Sequence, residues 1–172
     1  MIPVIARRCE GAADLLEFLE ELGLTTTTVD HEPVFTVEEA RRLRGALPGS
    51  HSKSLFMRNK KGRMWLVTAE ADRSIDLKRL GESLGAGRVG FASPQRLMTY
   101  LGVIPGAVTP FAVVNDTGGA VQVALDREML DREPLHFHPL DNAKTTTIGR
   151  ADLLRFLTAT SHEPLFLEPE AF

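Results

Sequence analysis

The 172-residue chain has one cysteine, no long apolar run and little net charge, and each of these facts excludes certain classes of protein or site. Cys9 is its single cysteine, which excludes an intramolecular disulfide and any zinc site built on several cysteines. No long apolar run follows Met1, so neither a signal peptide nor a membrane span is indicated. We therefore expect a cytoplasmic protein without a membrane partner, folded as a single domain over residues 1–172.

A strong excess of charge is also absent, since the formal net charge is −3. A chain balanced in this way has no overall attraction for nucleic acid, and RNA binding would need a local basic surface. Two segments qualify, with residues Arg41, Arg42 and Arg44 in the first and Lys53, Arg58, Lys60, Lys61 and Arg63 in the second. The plainer interpretation, solvated faces and hairpin tips, is preferred for both.

Apolar residues at helical spacing predict amphipathic helices over 10–23, 75–84 and 149–159. Thr36 and Glu39 form a capping-box pattern that starts a further short helix. Ser93 before Pro94 gives another helix a suitable N-cap and first residue.

Strands are predicted at 25–29, 53–58, 64–69, 88–91, 111–115, 120–125 and 135–140. Turn residues at 59–62 and 116–119 predict two hairpins. Hairpins interrupted by helices favour a mixed α+β fold of the α/β type, with a largely antiparallel mixed sheet packed by helices.

Three motifs resemble known sites but disagree with the predicted elements. Residues 81–85 match the Gly-x-Ser-x-Gly elbow, yet the serine lies near the end of a helix instead of at a strand-to-helix turn. Residues 85–90 match Gly-x-Gly-x-x-Gly, but a dinucleotide site needs a strand first and a helix second. His136 and His138 on one strand face could chelate a metal. Structural histidines are preferred because the spacing selects no third ligand, so we expect no metal.

Lys53 and the stretch 106–110 are the candidates for chemistry. Lys53 begins an apolar strand segment, where strand alternation would direct its ammonium into a pocket and toward a phosphate or carboxylate. A solvent-facing lysine at a strand start explains the pattern equally well. Gly106 permits positive φ, and exposed N–H groups beside it can bind a carbonyl or a developing oxyanion. On physics alone, a simple turn before another strand is the preferred explanation of 106–110.

Several short motifs occur in order between about residues 25 and 160: His31-Glu32-Pro33-Val34, Thr36-Val37-Glu38-Glu39-Ala40, Lys53-Ser54-Leu55-Phe56, Leu101-Gly102-Val103, Gly106-Ala107-Val108-Thr109-Pro110-Phe111, Val114-Asn115-Asp116, and His136-Phe137-His138-Pro139-Leu140 with Asn142, Thr145 and Thr147. Each motif is weak alone. In their order and spacing, the chain resembles the YbaK/prolyl-tRNA editing domain family, and most closely its freestanding alanyl-tRNA(Pro) deacylases of the ProX type.

The resemblance implies a YbaK-like fold and a trans-acting hydrolase that deacylates mischarged tRNA(Pro), most of all alanyl-tRNA(Pro). It places Lys53 by the 3′-terminal nucleotide and Gly106 in the loop that orients the aminoacyl group, both as catalytic residues. A positioned water, helped by the adjacent ribose hydroxyl and by no cofactor, would attack the activated ester. The expected substrate-binding residues are His31, Val34, Phe35, Leu55, Thr109, Pro110, Asn115 and His138.

Two alternatives stay open. A small pocket walled by Val34, Phe35 and Leu55 would admit alanine and exclude proline, but cysteinyl-tRNA(Pro) remains a second candidate substrate. A non-catalytic module that binds tRNA or a synthetase would also fit a chain without an obvious nucleophile. Ser54 stands where the family often has asparagine. The expected partner is the aminoacylated 3′ end of tRNA(Pro), and the resemblance leaves prolyl-tRNA synthetase open as a further one.

Overall fold

The computed structural model describes residues 7–33 and 36–172, and the strands in these ranges form one mixed sheet. The strands are β1 (Thr26–Asp30), β2 (Ser50–Asn59), β3 (Met64–Glu70), β4 (Val89–Phe91), β5 (Val121–Asp126), β6 (Leu135–Phe137), β7 (Lys144–Ile148) and β8 (Leu165–Leu167). Their order is β1-β7-β6-β2-β3-β5-β8, and β4 pairs with β2. β2 runs antiparallel to β3 and β4 but parallel to β6, so the mixed α/β fold expected from the sequence is confirmed.

Helices cover both faces of this sheet. They are α1 (Ala12–Glu21), α2 (Val37–Ala46), α3 (Leu77–Ser83), α4 (Pro94–Leu101), α5 (Arg127–Leu130) and α6 (Arg150–Ala159), with 3₁₀ helices at Pro110–Asn115 and Pro169–Ala171. The capping box of α2 is formed as predicted, because the Thr36 hydroxyl accepts from the Glu39 N–H and the Glu39 carboxylate accepts from the Thr36 N–H. No helix in the described ranges is long and apolar enough to cross a membrane.

Two apolar clusters lie on opposite faces of the sheet, because successive residues of a strand point to opposite sides. In β3, Leu66 packs in the cluster that contains the buried faces of α1, α4 and α6. Its neighbours Trp65 and Val67 pack in the other cluster, with Leu80 of α3 and the C-terminal Phe172. β3 is therefore buried on both faces, and it fixes β2 beside it.

The two edges of β2 have different neighbours. β3 pairs with residues Ser52 to Arg58 along one edge. On the other edge, β6 pairs only with Ser50 and His51, and β4 pairs only with the end of β2 from Met57 to Asn59. Residues 52–55 are therefore an open segment of that edge, with β6 at one end and β4 at the other.

The predicted second hairpin is wrong. Residues 110–115 form a buried 3₁₀ helix, and β5 pairs in parallel with β3 instead of folding back on 111–115. Pro110 occupies the first turn, where its missing N–H is no loss, and the Thr109 hydroxyl accepts from the Phe111 N–H. A short apolar run is compatible with either a buried strand or a buried helical turn, so periodicity could not decide.

Three further differences concern strands. The strand expected over 135–140 ends at Phe137, and Leu140 adopts a positive φ of 66°. β7 and β8 were not predicted from the sequence. β7 consists largely of threonines, and β8 has only three residues, so neither carries a strong alternating pattern.

Candidate active site

A cleft of about 280 Å³ lies at the open segment of β2. The parallel strands β2 and β6 pair only at Ser50–Leu135 and His51–His136, and they separate beyond these residues. Lining residues come from β2 itself, from α2, from the end of β6 and from the loop at 106–109. The fold thus builds the cleft where two neighbouring strands diverge.

Lys53 lines this cleft and is half-buried. Its Nζ donates a hydrogen bond to the main-chain carbonyl of Arg73. Burial lowers the pKa of Lys53, with Arg44 and Arg73 acting in the same direction and Asp72 in the opposite one. An ammonium group has three N–H donors, so two remain for an anionic ligand after the bond to Arg73.

Arg73 fixes the turn that receives Lys53. Its Nε donates to Asp126 at 2.7 Å and its guanidinium also contacts Glu128 at 2.5 Å. The ring of Phe172 lies 4.9 Å from the guanidinium carbon. Asp126 is fully buried and accepts additional bonds from the N–H groups of Glu70 and Glu128. The carbonyl that holds Lys53 is therefore tied to the sheet through a buried charge.

The loop at 106–109 contributes backbone N–H groups to the site. The Ala107 N–H donates to Ile104, whereas the N–H groups of Gly106, Val108 and Thr109 have no acceptor among the described residues. Gly106 has a φ of +92°, a conformation that favours glycine, and a Cβ there would lie 3.3 Å from the Asn142 side-chain nitrogen. Gly106, Val108 and Thr109 all line the cleft, which therefore offers backbone donors to an oxygen ligand.

His51 and His136 stack in the cleft with ring centroids 4.6 Å apart. The Nε2 of His51 lies 2.6 Å from the carbonyl oxygen of Leu47. A carbonyl can only accept, so Nε2 carries the proton and Nδ1 is left as an acceptor without a partner in the described chain. Burial lowers the pKa of His51 below its ordinary value, and the neutral form is favoured near pH 7. His136 is held at both nitrogens, by Pro48 and Thr147.

The ring of the cleft-lining His138 lies beside that of His31, with ring centroids 6.2 Å apart. The Nδ1 of His138 donates to the Lys144 carbonyl at 2.8 Å, and burial lowers the pKa of this ring. The Nδ1 of His31 donates to the Glu32 carbonyl, and its Nε2 lies 2.8 Å from the Thr145 hydroxyl. The Nε2 of neutral His138 therefore has no partner within ranges 7–33 and 36–172, while His31 contacts the cleft-lining Thr145.

The structure brings together four of the residues predicted to form the site: Lys53, Gly106, Thr109 and His138 line one cleft. His31 reaches that cleft through Thr145. Leu55, Pro110 and Asn115 lie apart from it: Leu55 packs against the apolar cluster of α3, Pro110 is buried in the 3₁₀ helix, and Asn115 bonds Cys9 and Leu101. Val34 and Phe35 lie outside the described residues.

Sequence reasoning missed two residues of the site. His51 stands two residues before Lys53, and strand alternation predicts that both side chains share a face, so the signal was present. Arg73 acts through its main-chain carbonyl, for which a sequence has no local signal. Among the described residues, no group of three His, Cys, Asp or Glu side chains is placed to hold a metal ion.

The glycine-rich motifs have structural roles. Ser83 ends α3, and its hydroxyl donates to the Arg79 carbonyl at 3.0 Å. Gly85 and Gly87 adopt positive φ in the turn from α3 to β4. The helix-then-strand order expected from the sequence is confirmed, and these residues do not contribute to the cleft lining.

The cleft combines a lysine ammonium with backbone donors that have no acceptor among the described residues, and its two serines are engaged, since Ser52 donates to the His136 carbonyl and Ser54 bonds the Thr68 hydroxyl. The model of the aminoacyl-tRNA editing domain family matches residues 31–156, and the chain belongs to that family. It is 41% identical over 156 residues to prolyl-tRNA synthetase associated domain-containing protein 1 of Danio rerio, covering 90% of this chain and 85% of that protein. It is 37% identical over 145 residues to the prolyl-tRNA editing protein ProX of Acetoanaerobium sticklandii, covering 84% of this chain and 88% of ProX.

The fold is also found among solved structures. A crystal structure presented as a candidate trans-editing enzyme for prolyl tRNA synthetase superposes with a TM-score of 0.68. It is 20% identical to this chain, covering 93% of it and 98% of the solved chain. At this identity the likeness concerns the fold alone. The family predicted from the sequence motifs is confirmed by the family model and by the relatives.

Proposed function

We propose that the protein is a trans-acting hydrolase that removes a wrong amino acid from tRNA(Pro), with alanyl-tRNA(Pro) as its substrate. The observation that carries the proposal is the meeting, in one cleft, of the Lys53 ammonium and the N–H groups of the 106–109 loop, which have no acceptor in the part of the chain that the structure describes, Ala107 excepted. An aminoacyl ester at an RNA end needs a cation for phosphate and donors for its carbonyl oxygen. Family membership and the name of the ProX relative support the same assignment.

In the proposed reaction, a water oxygen adds to the ester carbonyl carbon, and the carbonyl oxygen becomes an oxyanion. The N–H groups of Gly106 and its loop bind that oxyanion, while Lys53 holds the terminal phosphate. Collapse of the intermediate breaks the bond to the ribose 3′ oxygen, which takes up a proton and leaves as the hydroxyl. The free amino acid is the other product. The ester is activated enough that no enzyme nucleophile is needed.

The proton of the attacking water needs an acceptor, and His51 supplies one in the proposal. Its ring is neutral near pH 7, its Nε2 proton is fixed on the Leu47 carbonyl, and its Nδ1 is unpaired within the described chain. His51 lies on the same face of β2 as Lys53, two residues away. It accepts the proton directly or through the ribose 2′ hydroxyl of the substrate, and then returns it to the leaving oxygen.

In the proposal, alanine is preferred over proline by its size. The volume of the cleft, about 280 Å³, lies just below the range of about 300 to 1,000 Å³ that is typical of ligand pockets. A pocket of this kind separates alanine from the larger ring of proline more easily than it separates alanine from cysteine, which differs by one sulfur atom. Cysteinyl-tRNA(Pro) is therefore the alternative substrate.

The experiment is deacylation of purified tRNA(Pro) charged separately with alanine, cysteine, serine and proline. The proposal predicts rapid loss of alanine and survival of the prolyl ester at the same enzyme concentration. Preferential loss of cysteine or serine would keep the hydrolase assignment and replace the substrate. Survival of all four esters at high enzyme concentration would refute catalysis and leave a tRNA- or synthetase-binding module.

A further inference from the structure

The charges of this chain are unevenly distributed. Segments 54–69 and 83–115 contain no aspartate or glutamate at all. Together they carry six basic residues, which are Arg58, Lys60, Lys61, Arg63, Arg88 and Arg96. The net charge of the whole chain is −3, but these two segments contain only basic charged residues. Such a local excess attracts an anionic partner in spite of the negative total.

The fold brings five of these residues to one end of β2. We define the tip surface as Arg58, Lys60, Lys61, Arg63 and Arg88. Lys60, Lys61 and Arg63 lie in or beside the β2–β3 turn. Arg58 pairs with Gly90 of β4, and Arg88 immediately precedes that strand. All five side chains are exposed.

The positive charges of the tip surface are not neutralised by carboxylates of the described residues. None of its five residues forms a salt bridge with another residue of ranges 7–33 and 36–172. Elsewhere on the surface, Arg132, Arg150 and Arg155 each contact a carboxylate. Other exposed cations, such as Arg8 and Lys78, also lack an ion pair in the described ranges, but at the tip five such residues lie together, where a ligand can supply the missing anions.

The position of the tip surface relative to the cleft is set by β2. The open segment of its edge begins beside His51 and ends where β4 pairs with it. Arg58 lies five positions after Lys53, which corresponds to about 17 Å along a strand. Lys53 and Arg58 lie an odd number of residues apart and point to opposite faces of the sheet, so a linear anion whose end lies at Lys53 reaches Arg58 and Arg88 by following the open edge itself.

An exposed aromatic residue lies on this route. Phe91 is 63% exposed and pairs with Met57, so it stands on the cleft side of Arg88. Cations next to an exposed aromatic ring are typical of surfaces that bind nucleic acid, because phosphates and bases are engaged together. An acidic protein segment would gain little from the ring. RNA is thus favoured over an acidic protein as the partner of this surface.

We infer that the tip surface binds the phosphate backbone of the RNA next to the 3′ end held in the cleft. This rests on the proposed function for the identity of the RNA as tRNA(Pro), but the binding itself does not require catalysis. The cleft then holds the terminal nucleotide, and the tip surface holds backbone phosphates farther from the end. Its contribution is independent of base sequence and sensitive to salt.

The test is binding of uncharged tRNA(Pro), measured by fluorescence anisotropy at KCl concentrations from about 50 to 200 mM, a range over which phosphate contacts weaken strongly. Two tip variants are compared, Lys60→Gln/Lys61→Gln and Arg58→Gln/Arg88→Gln. The matched control is Arg8→Gln/Lys78→Gln, which removes two exposed and unpaired charges from elsewhere on the described surface. Each tip variant is expected to bind more weakly and to lower the slope of log Kd against log salt by about 2, while the control keeps the wild-type slope.

Wild-type slopes in both tip variants would overturn the inference, as would loss of affinity for purified prolyl-tRNA synthetase with unchanged tRNA binding. A lowered slope in a protein that hydrolyses no ester would support the inference and refute the proposed function. If the wild-type enzyme is active but the tip variants keep the wild-type salt slope, the proposed function is supported and the inference about the tip surface is refuted.

Discussion

The ammonium group of Lys53 donates to the main-chain carbonyl of Arg73, and the Arg73 side chain is held in turn by the buried carboxylate of Asp126. Three elements are connected by these two contacts: β2, the turn after β3 and the end of β5. Lys53 is flexible by nature, since its stem has four rotatable carbons. A fixed carbonyl at its tip removes part of that freedom before the substrate arrives, which lowers the entropic cost of binding.

Asp126→Asn should destabilise the protein and impair substrate binding. Removing one partner of a buried pair costs up to about 3–5 kcal/mol, and Arg73 would keep only the more exposed Glu128 as its anion. Turnover measured well below the melting temperature should show a raised KM, since the turn that holds Lys53 is released. Asp131→Asn is the control: its carboxylate is 63% exposed in its pair with Arg150, and its loss should cost less than about 1 kcal/mol. Equal melting curves and equal KM for the two variants would contradict this role.

Gly106→Ala should lower kcat while leaving tRNA binding nearly intact. Gly106 has a φ of +92°, and an added Cβ meets the Asn142 side chain at 3.3 Å, so the loop must shift. Displacement of an oxyanion donor costs roughly 100-fold or more in rate. Gly119→Ala is the matched control, because Gly119 also has positive φ but nothing lies within 4 Å of its Cβ position. If both variants lose rate equally, backbone strain explains the effect and the donor role is lost.

Deacylation should depend on pH through His51. Burial is the main cause of the lowered pKa of His51, with His136 and Arg44 in the same direction and the Leu47 bond and Asp72 opposed. A base works only when unprotonated, so kcat should fall as pH decreases through a value below about 6.5 and be flat above it. His51→Gln should lower the rate and remove that acidic limb. A profile that keeps the limb in His51→Gln would assign the titration to another group.

Asp116 and His162 form a buried pair that should control stability at acid pH. The Nδ1 of His162 lies 2.6 Å from the Thr160 carbonyl oxygen, and its Nε2 lies 2.8 Å from Asp116 Oδ2. Burial alone would raise the pKa of Asp116, but the bonds from His162, Val121 and Ala120 lower it overall.

A depressed carboxyl pKa stabilises the folded state above the unfolded value of about 3.9, and this contribution is lost as pH falls through the folded pKa. Asp116→Asn should therefore unfold more easily than wild type in urea at pH 7, and the difference should shrink below about pH 4. A constant difference in the free energy of unfolding from pH 7 to pH 3 would contradict the assignment.

The strand that carries Lys53 could largely be predicted from the sequence, but several of the elements and contacts around it could not. The β2–β3 hairpin and the capping box of α2 follow from local turn and capping chemistry. The helical turn at 110–115 is set by tertiary burial, which outweighs the strand propensity of its valines. Lys53 and Arg73 are 20 residues apart, and Lys53 contacts a main-chain carbonyl. No pattern of side chains in the sequence therefore predicts this contact. The open edge of β2 depends on where β6 and β4 stop pairing, which is a property of the assembled sheet.

The most direct test of the account is single-turnover deacylation of alanyl-tRNA(Pro) by Lys53→Ala, with Lys78→Ala as a control at an exposed lysine of α3. Circular dichroism and thermal unfolding establish that both variants are folded. The account predicts a rate loss of roughly 100-fold or more for Lys53→Ala, because the ester is no longer positioned, and a wild-type rate for Lys78→Ala. A folded Lys53→Ala variant that deacylates alanyl-tRNA(Pro) at the wild-type rate would contradict the central role of Lys53.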